Sequence, residues 1–337
     1  IITKDKLSLV NIYCPVCDNN KFNTFQEIFD DRYGEPNLYH LAKCTNCNHI
    51  ATYPRINQKD LGRLYKEYYP RKNISHKDII RNLKPKKTFQ KYLINWFQGT
   101  YNQGQVHAQK GENVLDIGCG DCSSLLEIEN LGAKAYGIET DENVSSIAKS
   151  LNLQVHIGSI EDNPFPDKYF DLIIMNQVIE HIPEPDKSLK LIMKRLSPNG
   201  RLIMVFPNID SIWQKLTGNK WINWHVPYHL HHFNKKSFEK VIFKCGLKVV
   251  KSKTITPNIW TLLQFRNLFY KTKKGSINKI WEFKKTKLIN KSKNIFQIKF
   301  IKLILKLVFL LFIGIINRIV DMANLGDSLM VEVKIKK

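Results

Sequence analysis

The sequence predicts an α/β fold in which a mainly parallel sheet carries helices on both faces. Three observations support this prediction. Apolar runs typical of strands alternate with helical segments, a glycine-rich turn follows the first run, and an acidic residue ends the second. The 337 residues, 43% of them hydrophobic, suffice for a large packed core. Because ligands of such folds bind at the carboxyl ends of the parallel strands, we expect the functional site along that edge.

The glycine-rich turn lies in the stretch Val114–Cys122, which reads VLDIGCGDC. Its apolar residues predict a buried strand, and a helix is predicted over Ser123–Asn130. Gly118 and Gly120 permit positive φ angles and the close approach of a ligand, while the start of the helix directs free N–H groups at a polar or anionic group. We therefore expect a cofactor to lie across this turn.

The second predicted strand, Ala135–Glu139, ends in a carboxylate ~20 residues after the turn, where open α/β folds hold a ribose diol. An ordinary strand with an exposed terminal Glu139 is the structural alternative. The combination of both strand ends favours a cofactor that carries a nucleoside.

These two runs are followed along the chain by GSIEDNPFPDKYFDLIIMNQVIEHIPEP and LSPNGRLIMVFPN. In this order, the four runs resemble the motifs of class I S-adenosylmethionine-dependent methyltransferases. The resemblance covers about residues 110 to 255 and implies a Rossmann-like seven-stranded methyltransferase sheet. The third glycine that is usual in the family is replaced by Cys122. S-adenosylmethionine is the implied cofactor, and the implied contact residues are Asp116, Gly118, Cys119, Gly120, Glu139, Ile160, Glu161 and Asn176.

Within this resemblance each residue has an expected role. Asp116 organises the glycine turn, Glu139 holds the ribose, Ile160 and Glu161 frame the adenine, and Asn176 lies beside the methyl group. The remaining strands of the core, residues 111–255, are predicted at Gln154–Gly158, Phe170–Asn176, Arg201–Phe206 and Leu247–Ile255, and a final strand of the same sheet is predicted at Ser328–Ile335 within residues 328–337.

Two Cys-x-x-Cys pairs precede this core, and they predict a zinc ribbon over residues 1–54. A two-residue gap lets both thiolates of a pair reach one ion, and two pairs complete a closed tetrahedral site of structural type. Reduced cysteines in a loop without metal are the alternative. A third such spacing, Cys119 with Cys122, belongs to the glycine turn and is not interpreted as a metal site. The expected zinc ligands are Cys14, Cys17, Cys44 and Cys47.

Residues 55–110 are basic, are rich in Tyr and Lys, and contain apolar residues at helical spacing. We interpret them as a helical bridge that covers the cofactor site. Aromatic residues at this spacing are more often core than a stacking surface for bases, although the second interpretation stays open.

Residues 208–234 contain three tryptophans and the run HVPYHLHHF, and they are interpreted as a lid over the substrate. The resemblance to glycan and small-molecule methyltransferases makes His229 the first candidate for acceptor contact and for the general base. His181 is the second. The spacing of the four histidines lacks the carboxylate or the i, i+4 pair of common catalytic zinc sites. Capping or solvation of a loop is the alternative role for any one of them.

Residues 256–327 form an insertion before the last strand. Twelve lysines and one acid lie between Lys271 and Lys306, and Leu307–Ile316 has no charge. A basic stretch followed by an apolar one is typical of a segment that binds a membrane surface. An apolar helix of about 14 residues is ~21 Å long, too short for a hydrocarbon core of ~30 Å. A core helix or a dimer helix is the alternative.

The net charge of +22 predicts an anionic partner. No apolar run opens the chain, which favours a cytoplasmic protein that is peripheral to the membrane. The core, the cysteine pairs before it and the basic insertion together resemble methyltransferases of polysaccharide and sugar biosynthesis that carry a zinc ribbon. We therefore expect methylation, preferably O-methylation, of a glycan or a lipid-linked sugar. An rRNA methyltransferase is the alternative enzyme, disfavoured by the apolar Leu307–Ile316. A catalytically silent cofactor-binding protein is the third hypothesis.

Overall fold

The computed structural model describes residues 13–69, 89–100, 103–162, 164–281 and 295–336, with no side chains described for 89–91 and 295–308. The sequence-based expectations that fall on residues 1–12, 70–88 and 282–294 lie outside the described residues. These stretches include parts of the expected ribbon, bridge and insertion.

Eleven strands and nine helices of the α type make up the framework that the structure describes. The strands are β1 (Phe22–Phe29), β2 (Leu38–Cys44), β3 (Ile50–Tyr53), β4 (Asn113–Ile117), β5 (Lys134–Glu139), β6 (Gln154–Ile157), β7 (Phe170–Asn176), β8 (Leu196–Pro207), β9 (His231–His232), β10 (Leu247–Ile255) and β11 (Ser328–Ile335). The helices are α1 (Gln58–Glu67), α2 (Phe89–Gln98), α3 (Ser123–Asn130), α4 (Val144–Ser150), α5 (Pro185–Arg195), α6 (Ile212–Thr217), α7 (Lys235–Lys244), α8 (Asn258–Phe269) and α9 (Ile295–Met322).

The larger sheet has seven strands in the order β10-β11-β8-β7-β4-β5-β6. Strands β6, β5, β4, β7 and β8 run parallel, and β11 lies antiparallel between β8 and β10. The seven-stranded α/β sheet expected from the sequence is thus confirmed. Because β4 pairs with β5 on one side and β7 on the other, the strand order reverses at β4, which places the switch point of the sheet at the glycine turn.

Both faces of this sheet are buried, which explains the continuous apolar strands. In β7, Ile173 and Met175 pack into one cluster and Leu172 and Ile174 pack into the other. Side chains of one strand alternate between the two faces, so a strand covered on both sides must be apolar throughout.

The smaller sheet has the order β1-β2-β3-β9 and joins the cysteine-rich region to the core. Strands β1 and β2 pair as an antiparallel hairpin, and β3 pairs with β9, where Ala51 faces His231 and Ile50 faces His232. The segment expected to form a lid thus also supplies a strand of this sheet. Residues 221–233 are all buried because this segment supplies a strand and packs between the two sheets.

The described parts of residues 55–110 do not act as one bridge. Helix α1 begins at the N-cap Asn57, whose side chain accepts from the Asp60 amide, and it lies over the edge of the larger sheet. Helix α2 instead packs against α9, where an added Cβ on Gly314 would lie 2.3 Å from the ring of Phe97. The two helices therefore belong to different surfaces of the protein.

The segment before β11 contains two helices, α8 and α9. Helix α9 has 28 residues, twice the apolar stretch expected from the sequence, because it begins at Ile295, before that stretch, and continues past it to Met322. Among the described residues, no helix combines the length and the apolar character that crossing a membrane requires.

Candidate functional site

A cavity of about 460 Å³ lies at the carboxyl ends of β4, β5 and β7. Its lining combines the glycine turn, the loops after β5, β6 and β7, and one face of α1. This position is the switch point of the sheet, and the volume is that of a small-molecule site. The lining includes Gly118, Gly120, Glu139, Ile160, Glu161, Gln177, His181, Leu61 and Tyr65.

The glycine turn needs its two glycines for different reasons. Gly118 has φ +73°, and a Cβ there would lie 2.6 Å from Cγ2 of Val178. Gly120 has φ +54°, and a Cβ there would meet no atom within 4 Å, so this side of the turn is open. The position of the usual third glycine also keeps a positive φ, +64°, but carries the buried Cys122. The replacement therefore keeps the backbone path.

Glu139 links the two strand ends that form the site. One carboxylate oxygen accepts a hydrogen bond of 2.8 Å from the Gly120 amide, and the other accepts from the amides of Thr140, at 2.8 Å, and Asp141, at 3.1 Å. The carboxylate thereby holds the glycine turn against the loop after β5. It also lines the cavity, where its oxygens suit the hydroxyl groups of a ribose.

Asp116 lies beneath the turn and is 2% exposed. Its Oδ2 accepts a 2.5 Å hydrogen bond from the Ser124 hydroxyl, and its Oδ1 has no hydrogen-bond partner among the described residues. Burial raises the pKa of this carboxyl to about 7, while the hydrogen bond from Ser124 lowers it and the charge of Glu139 raises it further. A buried oxygen without a partner beside an open turn is consistent with a bound polar ligand.

The other expected cofactor residues take different positions. Ile160 and Glu161 line the cavity, and Glu161 accepts a 3.1 Å hydrogen bond from the Ser188 hydroxyl. The side chain of Cys119 points away from the expected ligand, toward Gly137. The Asn176 amide is engaged in holding the turn before β4, accepting from the Gly104 amide at 2.9 Å and donating to Gln105 at 3.1 Å.

Two cavity residues were not among the expected ones. Gln177 has φ +56° in the turn after β7, and its buried Nε2 has no hydrogen-bond partner among the described residues. Tyr65 comes from α1, and its hydroxyl lies 3.0 Å from Nδ1 of His181. The prediction for this strand end named Asn176 beside the methyl group and not the adjoining Gln177. For Tyr65, helical periodicity showed only an apolar face.

His181 lies on the cavity wall with its side chain 20% exposed. Its Nδ1 is 2.8 Å from the backbone carbonyl of Tyr228 and must therefore carry the proton. Nε2 is then the nitrogen that can accept a proton. Burial lowers the pKa of His181 to about 4, so the imidazole is neutral near pH 7.

His229, the first candidate for acceptor contact, lies behind His181 and is 6% exposed. The two ring centroids are 4.7 Å apart, and Nδ1 of His229 is 2.8 Å from the carbonyl of Asn223. Burial lowers its pKa well below the usual value. The structure therefore assigns the cavity position to His181 and places His229 in the layer beneath it.

Glu180 faces both histidines from the buried side. One of its oxygens is 4.0 Å from Nε2 of His181 and 4.0 Å from Nε2 of His229, and neither oxygen has a hydrogen-bond partner among the described residues. Burial raises the pKa of this carboxyl to about 8. One ligand atom from each of the three residues lies within 4.8 Å of the others, so the cluster has the spacing either to share protons or to hold a cation.

The remaining histidines of this region connect the two sheets. Nδ1 of His231 lies 3.1 Å from Nε2 of His49, which precedes β3, and the Thr52 hydroxyl of β3 lies 2.6 Å from the His229 carbonyl and 3.2 Å from Nε2 of His232. Burial lowers the pKa of His49 and of His232 to about 3. These are neutral, structural histidines. We call the five residues His49, His181, His229, His231 and His232 the histidine block.

The four cysteines of the two pairs converge at the end of the small sheet. Sγ of Cys14 lies 3.4 Å from Sγ of Cys47, and Sγ of Cys17 lies 3.6 Å from that of Cys44. These separations suit four thiolates around one ion with bonds of ~2.3 Å. Asn19 also places its amide nitrogen 3.5 Å from the Cys44 sulfur, as a supporting contact. The donor set fits a structural zinc ion.

Comparison with known proteins adds independent evidence. Residues 94–252 match a family described as a methyltransferase domain. Over 150 residues the chain is 25% identical to the ubiquinone biosynthesis O-methyltransferase of Coxiella burnetii, which covers 42% of this chain and 64% of that protein. It is 27% identical over 139 residues to the demethylmenaquinone methyltransferase of Listeria welshimeri, and this match covers 37% of this chain and 58% of that protein. The chain thus spans less than two thirds of the length of these relatives.

Solved structures resemble the chain less closely. A Haloferax volcanii methyltransferase in complex with the activator Trm112 is 12% identical, covers 74% of this chain and 93% of its own, and has a TM-score of 0.44. A Thermotoga maritima methyltransferase, described as a possible histamine N-methyltransferase, is 15% identical, covers 74% and 97%, and has a TM-score of 0.42.

The family match and the sheet define the class. Residues 94–252 form a methyltransferase domain of the S-adenosylmethionine-dependent kind, and the cavity lies at the switch point of its sheet.

Proposed function

We propose that the protein transfers a methyl group from S-adenosylmethionine to a hydroxyl group of a glycan or lipid-linked sugar at the cytoplasmic membrane surface. The observation that carries the methyl transfer is the cavity at the switch point, inside a domain that matches methyltransferases. Bound S-adenosylmethionine supplies a methyl group activated by a sulfonium. The residues that would hold it are Asp116, Gly118, Gly120, Glu139, Ile160 and Glu161.

The protein's own contribution is to orient the acceptor and to remove its proton. His181 suits the second task because it lines the cavity as a neutral imidazole with Nε2 available. Tyr65 and the carbonyl of Tyr228 fix the orientation of the ring through Nδ1. The Glu180 carboxyl lies 4.0 Å from Nε2, but its pKa is raised to about 8, so it holds its own proton near pH 7 and is not a further acceptor for the transferred one.

A second cavity, of about 330 Å³, supports a sugar as part of the acceptor. Trp221, Trp224 and Tyr270 supply aromatic surface in its lining, and the Asp31 carboxylate supplies an acceptor for hydroxyl groups. His225 also lines this cavity, and its ring centroid lies 6.5 Å from that of His181. The two cavities are therefore neighbours, linked through His225 and His181.

Two further expectations belong to the same proposal. Zinc on Cys14, Cys17, Cys44 and Cys47 would hold the ribbon that supports β9, and this is a structural role. The charge of +22 and the twelve lysines between Lys271 and Lys306 support attraction to an anionic membrane surface. The O-methyltransferase named among the relatives supports oxygen as the acceptor atom.

The test is incubation of the purified protein with methyl-labelled S-adenosylmethionine and, separately, a membrane glycolipid fraction and total RNA. We expect label in base-stable form in the glycolipid fraction. Label in RNA alone would replace the glycan by a nucleobase. Retention of the cofactor with no transfer to either fraction would leave a cofactor-binding protein without activity.

The role of His181 has its own test. We expect His181→Gln to lower turnover by about 10²- to 10⁴-fold, the usual contribution of a general base, with little change in cofactor affinity. His40→Gln, on β2 of the ribbon and half-buried, is the matched control and should keep its activity. Unchanged turnover in His181→Gln would assign the base elsewhere.

A further inference from the structure

Helices α8 and α9 bury polar residues and expose apolar ones, the reverse of an ordinary surface helix. In α8 the four buried residues, Asn258, Thr261, Gln264 and Asn267, all have polar side chains. Phe269 at its end is 88% exposed, and Ile259 at its start is 55% exposed. A helix that packs on a soluble core usually shows the opposite pattern.

The inner faces of the two helices are joined by hydrogen bonds. Asn317 of α9 is fully buried, donates to Asn258 at 2.9 Å, and exchanges a hydrogen bond with Thr261 at about 3 Å. Arg318 donates to the Thr256 carbonyl at 2.5 Å and pairs with Asp321 at 2.7 Å. These contacts fix which face of α9 points inward, since turning the helix would leave the buried polar groups without partners.

The outward face of α9 is consequently apolar. Five large side chains on it are at least half exposed, and they recur at the three- and four-residue spacing of one helix face or next to it. These are Leu311, Phe312, Ile315, Ile319 and Met322. Together with Ile259 and Phe269 they form what we call the α8–α9 face. Scattered exposed apolar residues are ordinary, but a contiguous set marks an interaction surface.

A groove between the helices continues this face. It has a volume of about 360 Å³, and Ile259 and Leu262 of α8 line it together with Leu310 and Leu311 of α9. Phe97 of α2 also lines it. The lining also contains the polar residues Gln98, Thr100 and Asn258, but most of it is apolar, which suits a hydrocarbon chain.

Positive charge adjoins the apolar surface. Lys271, Lys273 and Lys274 are exposed directly after Phe269, and the sequence around them has twelve lysines and one acid. Apolar side chains beside clustered lysines match a bilayer interface, where the former enter the acyl region and the latter meet anionic headgroups. A protein partner would not require this excess of one charge.

We propose that the α8–α9 face lies in the interface of an anionic lipid bilayer, with one lipid hydrocarbon chain in the groove. The inference deepens the proposed function by naming the element that brings the site to a lipid-linked acceptor, and it rests on that function only for the identity of the acceptor. Binding occurs in the plane of the interface, since none of the described helices is suited to crossing.

The test is flotation of the full-length protein with vesicles of phosphatidylcholine containing phosphatidylglycerol, without cofactor or acceptor. We expect the wild type to float. The triple variant Phe312→Ser, Ile315→Ser and Ile319→Ser should bind the vesicles at least about tenfold more weakly, because it removes three apolar contacts. The matched control replaces Phe25, Leu216 and Phe243 by Ser, three exposed apolar residues outside this face, and should float as the wild type does.

A second pair of measurements separates the two attractions. High salt, or vesicles of phosphatidylcholine alone, should weaken the part of the binding that depends on the lysines. Under both conditions the α8–α9 variant should still bind more weakly than the wild type. Absence of flotation by the wild type would overturn the proposal. So would a wild-type dimer in light scattering that the α8–α9 variant converts to a monomer, because a second copy would then cover the face. Flotation without methyl transfer to glycolipid would instead contradict only the proposed function.

Discussion

The cofactor cavity and the histidine block both concentrate ionisable side chains, but they use them differently. Around the cavity the backbone is open, and Gly120 and Glu139 present an amide turn and a carboxylate to the cavity. In the histidine block the side chains bond to one another and to carbonyls, with His231 against His49 and His232 against Thr52. His181 alone belongs to both.

The comparison teaches that residue type is a poor guide to role when burial is unknown. Four histidines within eight residues suggest catalysis, yet His229, His231 and His232 are each at least 94% buried and tie the ribbon to the core. Imidazole supplies one donor and one acceptor when neutral, so it can join two segments without carrying a charge into the interior. The following predictions test this division.

The largest expected effect comes from removing the proposed zinc. We expect one zinc per chain, and we expect Cys44→Ser to lose it, with destabilisation of the ribbon on the order of several kcal/mol because such small sheets depend on their metal. Hydrogen exchange should rise in β1, β2, β3 and the paired β9, and stay unchanged at the glycine turn. Cys245→Ser, outside the cluster and half-buried, is the control.

Full zinc content in Cys44→Ser would contradict the assignment of the ligands. A measured content of two metals per chain would assign the second to Glu180, His181 and His229, which are the other described group with suitable spacing.

The second prediction affects the cavity and spares the ribbon. Gly118→Ala adds a Cβ at positive φ against Val178, and we expect a cost of about 2–5 kcal/mol in cofactor binding, roughly 30-fold or more in affinity. Gly111→Ala is the matched control, because its φ is +88° but nothing lies within 4 Å of the added Cβ. Calorimetric titration with S-adenosylmethionine measures both, and equal affinities would remove the glycine turn from the site.

The third prediction affects the histidine block and spares the cavity. Thr52→Val keeps the shape but removes the hydroxyl that contacts the His229 carbonyl and His232, leaving buried polar atoms without a partner. We expect a loss of about 1–3 kcal/mol in the free energy of unfolding, with cofactor affinity unchanged. Urea unfolding measures it, with Thr24→Val, exposed on β1, as control. An equal, small change in both variants would show that these contacts are not structural.

The smallest effect is a pH dependence through Asp116. Its pKa in the folded state, about 7, lies above the ordinary value of 3.8, so the protonated carboxyl stabilises the cofactor-free fold at low pH, and this contribution is lost as the pH rises through about 7. Between pH 5.5 and 8 we expect the free energy of unfolding of the wild type to fall by about 1–2 kcal/mol more than that of Asp116→Asn, whose side chain cannot titrate. Parallel stability curves for the two proteins would show that Asp116 ionises normally.

The sequence alone determined the strands of the larger sheet, the glycine turn and the cysteine pairs, because these depend on local physics. Continuous apolar residues made β4 and β7 recognisable, paired glycines marked the turn, and the two-residue gaps indicated one shared ion. Positions such as Glu139 followed, since the end of a strand places its last side chain at a known edge of the sheet.

Only the tertiary structure decided which side chains face the cavity and which face of a helix points inward. His229 and Asn176 were reasonable choices by position, but the Asn223 carbonyl, 6 residues away, and the Gly104 amide, 72 residues away, engage their side chains. Likewise, the buried Asn317 directly follows the apolar run Leu307–Ile316, and its role depends on Asn258 and Thr261 more than fifty residues away. The physical reason is that hydrogen-bond partners and burial are properties of packing, which local sequence patterns do not encode.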